Sequence, residues 1–308
     1  MARALVTGAS GFIGSYVLRA LLDAGWEVVA WHGAHPERMG LNGSPRGLIG
    51  AANVDLARPD DIDAALAALE VDAVAHTGAM SQVGDCQRDP DRAHRINVDA
   101  TARLAAHCAA RHARLIHFST DQIFDGRTAW VKESAPPAPI HAYGESKAAA
   151  ERAVAESGAD ACIARISLVY GDSPTRVRSA TEQVLRPLER GERLGRFVDE
   201  FRTPLLVHDV ASAVIELLEM SEPPRVLNLA GPDRISRYEF GRETAAAYGF
   251  DPEMIEEDSI ANFDASTPRA PDLSLDTALA RRTLRRPPRS VREGLAWLAS
   301  ESRKGAAS

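Results

Sequence analysis

What this chain lacks narrows what it can be. Cysteine is scarce. Cys86, Cys108 and Cys162 are the only three, they have no metal-ligand spacing, and they suggest no disulfide framework. They fit a reducing compartment, as small residues of a core. The nine histidines also lack paired ligand spacing. His76, His117 and His208 fall on strand or helix-start positions and are expected to be packed and hydrogen-bonded, so no metal site is expected. Excess positive charge is missing too, since 36 basic residues face 43 acidic ones for a net charge of −7. That argues against nucleic acid as a partner. No apolar run approaches the roughly eighteen residues of a membrane span, so no membrane contact is expected. The apolar first 25 residues are interrupted by the glycines of TGASGFIG, with no small-residue cleavage site after them, so a signal peptide is not expected. The expected location is the cytoplasm.

What is present suits a large core. The chain has 308 residues, 45% of them hydrophobic, which suggests one large domain or two modest ones. Short apolar runs (ALVTG, WEVVAW, VDAVAHTG, ARLIHFST, DACIARIS) alternate with Ala/Leu-rich helical stretches through the first half. That alternation predicts βαβ units and an α/β fold of the Rossmann type, with a doubly wound parallel sheet. After about Leu168 proline and arginine become common and strands shorten. The division expected is a dinucleotide-binding domain over 1–167 and a smaller substrate-binding lobe over 168–308, with the chain crossing back. The basic tail from Ala280 reads as a solvated helical surface, and the turn-forming APPAP at 135–139 is the only biased segment.

Gly8, Gly11 and Gly14 lie between the first strand and the first helix. Glycine allows a tight turn there and lets a phosphate approach the helix N-terminus, where unpaired N–H groups and the dipole favour an anion. A glycine pattern alone is weak, but its position after the first strand of a βαβ unit points to a dinucleotide, held by Gly8, Ser10, Gly11, Phe12, Ile13 and Gly14. Sites for NAD usually place an acid at the end of the second strand. Here Trp31, His32 and Gly33 stand in its place, followed by His35 and Arg38, which could face a 2′-phosphate, and by Glu37, which could serve as the acid. NADP(H) is the preferred cofactor, with His32 and Arg38 as contacts and NAD(H) as the alternative. Asp55 and Leu56, after the third strand, are placed at the adenine.

Tyr143 and Lys147 lie four positions apart on a predicted helix, so they share a face. An ammonium there would lower a phenol pKa from about 10 by roughly one to three units. That would make a proton donor able to work near neutral pH. The spacing is common on solvated helices and means little alone. Ser119 and Thr120 end the fifth strand, where the crevice of a parallel sheet opens. A hydroxyl there could bond a substrate carbonyl and the phenol together.

TGASGFIG, Asn97, STDQIFDG, YGESK and RTPLLVHDVA occur in the order and spacing of the extended short-chain dehydrogenase/reductases. Within them the chain most resembles dTDP-4-dehydrorhamnose reductases and their sugar-nucleotide-binding relatives, over roughly residues 3–300. The resemblance implies a catalytic set of Thr120, Tyr143 and Lys147, with Asn97 shaping the site and Ser119 on the cofactor side. It places Thr77, Gly78 and Ala79 against the cofactor, Ser81 and Val83 beside the sugar, and Arg202 at the substrate phosphates. It also marks Gln122 and Leu168 as substrate-side departures, where an aromatic residue and a tryptophan are usual. The usual Arg-Pro near the C-terminus reads Ala270-Pro271, with Arg269 displaced by one. The implied activity is reduction of a keto group on a nucleotide sugar, a small-molecule partner, with a homodimer one assembly open to it. Two other activities stay open. One is an epimerase or dehydratase of the same superfamily, although dehydratases commonly carry Glu where Gln122 stands. The other is a cofactor-binding regulator without turnover, resembling the regulatory subunit of methionine adenosyltransferase.

Overall fold

Strand β1 (Arg3–Thr7) is buried from Ala4 onward, as a parallel strand with helices on both faces must be. The structure, a computed structural model, describes residues 1–41, 43, 45–173, 179–263 and 268–307. In chain order β1 is followed by α1 (Phe12–Asp23), β2 (Glu27–His32), β3 (Leu48–Asn53), α2 (Pro59–Ala67) and β4 (Ala73–His76). Next come α3 (Val83–Arg88), α4 (Pro90–His94), a π turn (Arg95–Asp99), α5 (Ala100–Arg111), β5 (Arg114–Thr120), α6 (Ala142–Glu156) and β6 (Ala161–Ile166). The sheet order is β3-β2-β1-β4-β5-β6, closed at the far edge by β11 (Val226–Leu229), and every pairing is parallel. The winding therefore reverses between β1 and β4, and a ligand crevice opens beyond the C-terminal ends of those strands.

Helices cover both faces. Val17, Leu18 and Leu21 of α1 share one core with Val210, Val214 and Leu217 of α8 (Val207–Glu219), and with Ile116 and Phe118 of β5. On the other face Ile62, Leu66, Leu104 and Val154 from α2, α5 and α6 pack on Leu5, Val74 and Leu115. Each such aliphatic side chain contributes about 1.5–3 kcal/mol by leaving water. The three cysteines are free and buried, as expected of small core residues.

The remaining elements before α8 are β7 (Val169–Tyr170), α7 (Glu182–Glu189), β8 (Leu194–Phe197), β9 (Phe201–Arg202) and β10 (Leu205–Leu206). After β11 come β12 (Ile235–Ser236), α9 (Arg237–Ala247), β13 (Ile255–Asp258), α10 (Ala278–Thr283) and α11 (Val291–Ala307). Three short pairs, β7 with β10, β9 with β12 and β8 with β13, support the added lobe. Its core is Tyr170, Phe240, Val291, Leu295 and Leu298. Residues of α8 and β11 thus return to the main sheet after the first lobe segment has formed. The arginine-rich tail is ion-paired, with Arg289 on Asp209 and Arg285 on Glu219. Among the described residues no helix is long and apolar enough to cross a membrane. Nor is there a cluster of three His, Cys, Asp or Glu side chains able to hold a metal.

Candidate active site

Three glycines let β1, β4 and α1 meet. Gly8 has φ +66°, and a Cβ on it would stand 2.7 Å from Gly78 Cα. A Cβ on Gly14 would stand 2.2 Å from the Gly8 carbonyl oxygen, and one on Gly78 would stand 2.6 Å from Leu56 Cδ1. The turn is stitched by Thr77, whose hydroxyl donates to the Thr7 carbonyl at 2.6 Å, and by Gly78 N–H, which donates to the Thr7 hydroxyl at 3.2 Å. Helix α1 begins at Gly11 without a side-chain cap. The N–H groups of its first turn are therefore left for an anion.

Above this turn lies a cavity of about 820 Å³. Every residue expected at the cofactor lines it: Gly8, Ser10, Gly11, Phe12, Ile13, Gly14, His32, Arg38, Asp55, Leu56, Thr77, Gly78, Ala79, Ser119, Tyr143 and Lys147. The donors and the space fit a dinucleotide whose pyrophosphate meets the start of α1. Ser81 lines the same cavity, together with Gln82, Arg92 and Ile96, which motif reading did not single out. At the tip of β2, Gly33 N–H donates to Ser10 Oγ at 3.2 Å and His32 Nδ1 lies 2.8 Å from the Gly33 carbonyl. Glu37 turns to His35 at 3.1 Å and to Arg38 at 3.9 Å, and it is absent from the lining. One Asp55 oxygen accepts the Ala57 N–H at 2.9 Å in a local turn.

Tyr143 and Lys147 sit at the inner end, 8% and 3% exposed. Helix α6 is capped by His141, whose Nδ1 accepts the Gly144 N–H at 3.0 Å. A Cβ on Gly144 would lie 2.3 Å from the Gln122 carbonyl oxygen. The glycine of YGESK therefore seats the first turn of α6 directly on the 121–123 turn, and this brings Tyr143 to Thr120. The Thr120 hydroxyl accepts the Gln122 N–H and reaches Asp121 Oδ1, each at 3.2 Å. Val83 packs beside Tyr143 with Cys86 and Ala93.

The electrostatics differ from the expectation in one respect. Burial raises the Tyr143 phenol well above its ordinary value, with the Thr120 hydroxyl pulling the other way and Asp121 pushing with the burial. Lys147 adds no lowering, and its ammonium lies against His117, with Nζ 3.3 Å from Nε2. Burial brings Lys147 itself down to about 8, against the pull of Glu151.

Asn97 lies in the π turn, an interruption that recurs at functional sites. Its amide is fully engaged: Oδ1 accepts Met80 N–H at 2.8 Å, while Nδ2 donates to the Met80 carbonyl at 3.0 Å and to Ser146 Oγ at 2.9 Å. Ser146 in turn donates to the Tyr143 carbonyl at 2.8 Å. Asn97 thus clamps the segment after β4 onto the helix that carries Tyr143, rather than lining the cleft.

The substrate side departs further from motif reading. Arg202, expected at substrate phosphates, is 12% exposed and forks between two carboxylates, Asp121 at 3.0 Å and Glu200 at 3.1 Å. Its guanidinium is committed inside the protein because the fold brings both acids to it. Leu168 packs in the lobe core beside Tyr170, away from the cavity. Gln122 is half-buried in the turn under α6. Gly126, at φ +76°, lies so close to Ala270 that a Cβ on the glycine would stand 2.7 Å from the Ala270 Cβ. The displaced Arg269 pairs with Glu200 at 2.8 Å and lies over the ring of Phe263.

The family model described as the RmlD substrate binding domain matches residues 2–303. A relative in Haloferax volcanii, described as a probable low-salt glycan biosynthesis reductase, is 32% identical over 278 residues, covering 89% of this chain and 90% of the relative. Methionine adenosyltransferase 2 subunit beta of Pongo abelii is 28% identical over 80% of this chain and 72% of its own length. In structure, the chain is similar to dTDP-4-dehydrorhamnose reductase from Bacillus anthracis solved with NADP. That likeness has a TM-score of 0.84 at 21% identity and covers 98% of this chain and 100% of that one, which speaks to the fold. The chain belongs to the RmlD substrate-binding domain family, within the extended short-chain dehydrogenase/reductases.

Proposed function

We propose that this protein is an NADPH-dependent reductase of a keto group on a nucleotide sugar. The observation that supports the reading is that Tyr143, hydrogen-bonded to Thr120, and Lys147 line the inner end of a cleft whose other end is the Gly8–Gly14 cradle. A reduced nicotinamide bound there supplies the hydride. Residues Gly11 to Gly14 would hold the pyrophosphate through backbone N–H groups. His32 and Arg38 stand where an acid would select the unphosphorylated ribose, which favours the 2′-phosphate. Thr120 binds the carbonyl oxygen and Tyr143 gives it a proton as the carbonyl carbon receives hydride, so that C=O becomes CH–OH. Near neutral pH the phenol keeps its O–H, the state from which a reduction takes its proton. Lys147 holds the ribose and returns a proton to the tyrosine.

Tyr143→Phe tests the assignment. Turnover of NADPH with keto nucleotide sugars should fall by about 10²-fold or more, with NADPH affinity nearly unchanged. Wild-type turnover in that variant would refute it. Net consumption of NADPH distinguishes reduction from an epimerase or dehydratase, which returns the hydride. The relation to methionine adenosyltransferase 2 subunit beta supports a second reading, a cofactor-binding regulator. Partner capture with no product from a broad nucleotide-sugar panel would favour it.

A further inference from the structure

Beneath Lys147 lie two fully buried histidines that the proton transfer above does not use, His76 on β4 and His117 on β5. The strands pair these two positions directly, and the rings stand 5.4 Å apart. Alternation along β5 explains the location. Leu115 points into the core under α5 and α6, and His117, two residues on, points to the same side.

The protons on both rings can be assigned. Thr101 donates its hydroxyl hydrogen to the Asn97 carbonyl at 2.7 Å, so it must accept from His76 Nε2 at 2.9 Å. His76 Nδ1 then accepts the Thr7 hydroxyl at 2.7 Å. His76 is thus neutral, fully bonded, and has nothing to offer Lys147. His117 is different: its Nε2 lies 3.3 Å from Lys147 Nζ, and its Nδ1 is buried with no hydrogen-bond partner among the described residues. An ammonium can only donate, so Nε2 must be the acceptor and the ring hydrogen must sit on the unpartnered Nδ1. A buried donor left unsatisfied is a cost that calls for a reason.

We propose that His117 is the positioning residue of Lys147, a neutral imidazole whose Nε2 takes one ammonium hydrogen and fixes the amine at the inner end of the cleft. The proposal rests on the reductase reading for its catalytic consequence, though the pair itself can be measured without substrate. The groups facing Lys147 are Glu151 on its own helix, His117 on β5 and His76 on β4; Glu151 is also held by Arg165 of β6 at 2.7 Å. Of these only Glu151 and His117 stabilise the charged amine. Glu151 is bound bidentately by Arg165, so the His117 bond is the one given by the sheet beneath.

The chain has only three lysines, Lys132, Lys147 and Lys304, so isotope-labelled lysine followed by NMR reads the Lys147 titration without crowding. In His117→Phe, which keeps the ring volume but removes the acceptor, the Lys147 midpoint should fall by about one unit from its wild-type value. His117→Gln, which can offer its amide oxygen, should stay close to wild type. The high-pH limit of turnover should move with the midpoint. An unchanged midpoint in His117→Phe, or an equal fall in both variants, would overturn the proposal. Should the phenylalanine variant fail to fold, the nitrogen-15 spectrum of wild-type His117 decides, because a hydrogen on Nε2 at pH 7 would refute the assignment. Absence of wild-type turnover would instead count against the reductase reading and leave the titration result intact.

Discussion

Replacing Arg202 with methionine separates two accounts of the substrate side. If Arg202 served mainly as a free phosphate ligand, Arg202→Met would raise KM for the nucleotide sugar and leave stability almost untouched. The ion network predicts otherwise. Arg202 lies between Asp121 and Glu200, both about 3% exposed or less at the side chain, and removing one partner of a buried pair costs about 3–5 kcal/mol. Two remaining contacts reduce the damage: Glu200 keeps Arg269 at 2.8 Å, and Asp121 keeps the Ser167 hydroxyl at 2.7 Å. The lower end, about 3 kcal/mol, is therefore expected, or a fall in Tm of roughly 4–5 °C for a chain of this size. The cost should depend on pH. Burial alone would raise the Glu200 pKa, but Arg202, Arg237 and Arg269 hold it below its ordinary value. A carboxyl depressed in the fold stabilises above its unfolded pKa and loses that contribution as pH falls through the folded one. The stability gap between wild type and variant should thus be widest near pH 7 and narrow toward pH 4, as the variant's less stabilised Glu200 protonates first. Thermal unfolding at pH 7 and pH 4.5, with steady-state kinetics, provides the test. A variant with wild-type Tm and a changed KM alone would refute the network account.

Gly14→Ala would press a Cβ to within 2.2 Å of the Gly8 carbonyl oxygen. It should destabilise the fold by about 1–3 kcal/mol and abolish NADPH binding, as read by fluorescence titration. Glu37→Gln removes the carboxylate that engages His35 and Arg38. Because that pair is exposed, NADPH should tighten only roughly two- to five-fold, with NADH unchanged in the same titration. Glu151→Gln withdraws the carboxylate that favours the charged Lys147. Burial brings that lysine to about 8, so the upper pH limit of turnover should move to lower pH in this variant, which a rate profile from pH 6 to 9.5 would reveal.

The cofactor side was legible in the sequence because its signals are local. The glycines of TGASGFIG, the strand-end Ser119 and the Tyr143–Lys147 spacing each lie within one turn or one strand end, and the strand order then brings them to one cleft. The ion pairing of Arg202 was illegible for the opposite reason. Its partner Asp121 is 81 residues away, and no local pattern says that a conspicuous arginine will meet a carboxylate before it meets substrate. The phenol shift was missed for a related cause, since helical spacing puts an ammonium one turn from Tyr143 but says nothing of the burial that raises the phenol or of the β5 imidazole against the ammonium. The π turn at Asn97 has no composition cue in RINVD, although the asparagine itself was visible as a motif residue.

Asp121 explains why the two halves of the site cannot vary independently. It follows Thr120 at the end of β5, yet its carboxylate is held in part from the lobe, by Arg202. Ser167 and Arg202 donate to one oxygen, and Thr203 N–H, next to Arg202, donates to the same Ser167 hydroxyl at 3.2 Å. The orientation of Thr120 is therefore fixed from the substrate side as well as from its own strand. A change that reshapes the lobe around Arg202, Glu200 and Arg269 for another sugar would also move the hydroxyl that binds the carbonyl. Ala270, filling the space beside Gly126 while Arg269 takes up the pairing with Glu200, fits such a constraint. It alters the wall of the lobe while leaving both carboxylates of the network paired. Substitutions that keep Asp121 and Glu200 paired can tune the substrate without disturbing the proton donor, whereas those that unpair either acid act on binding and chemistry together.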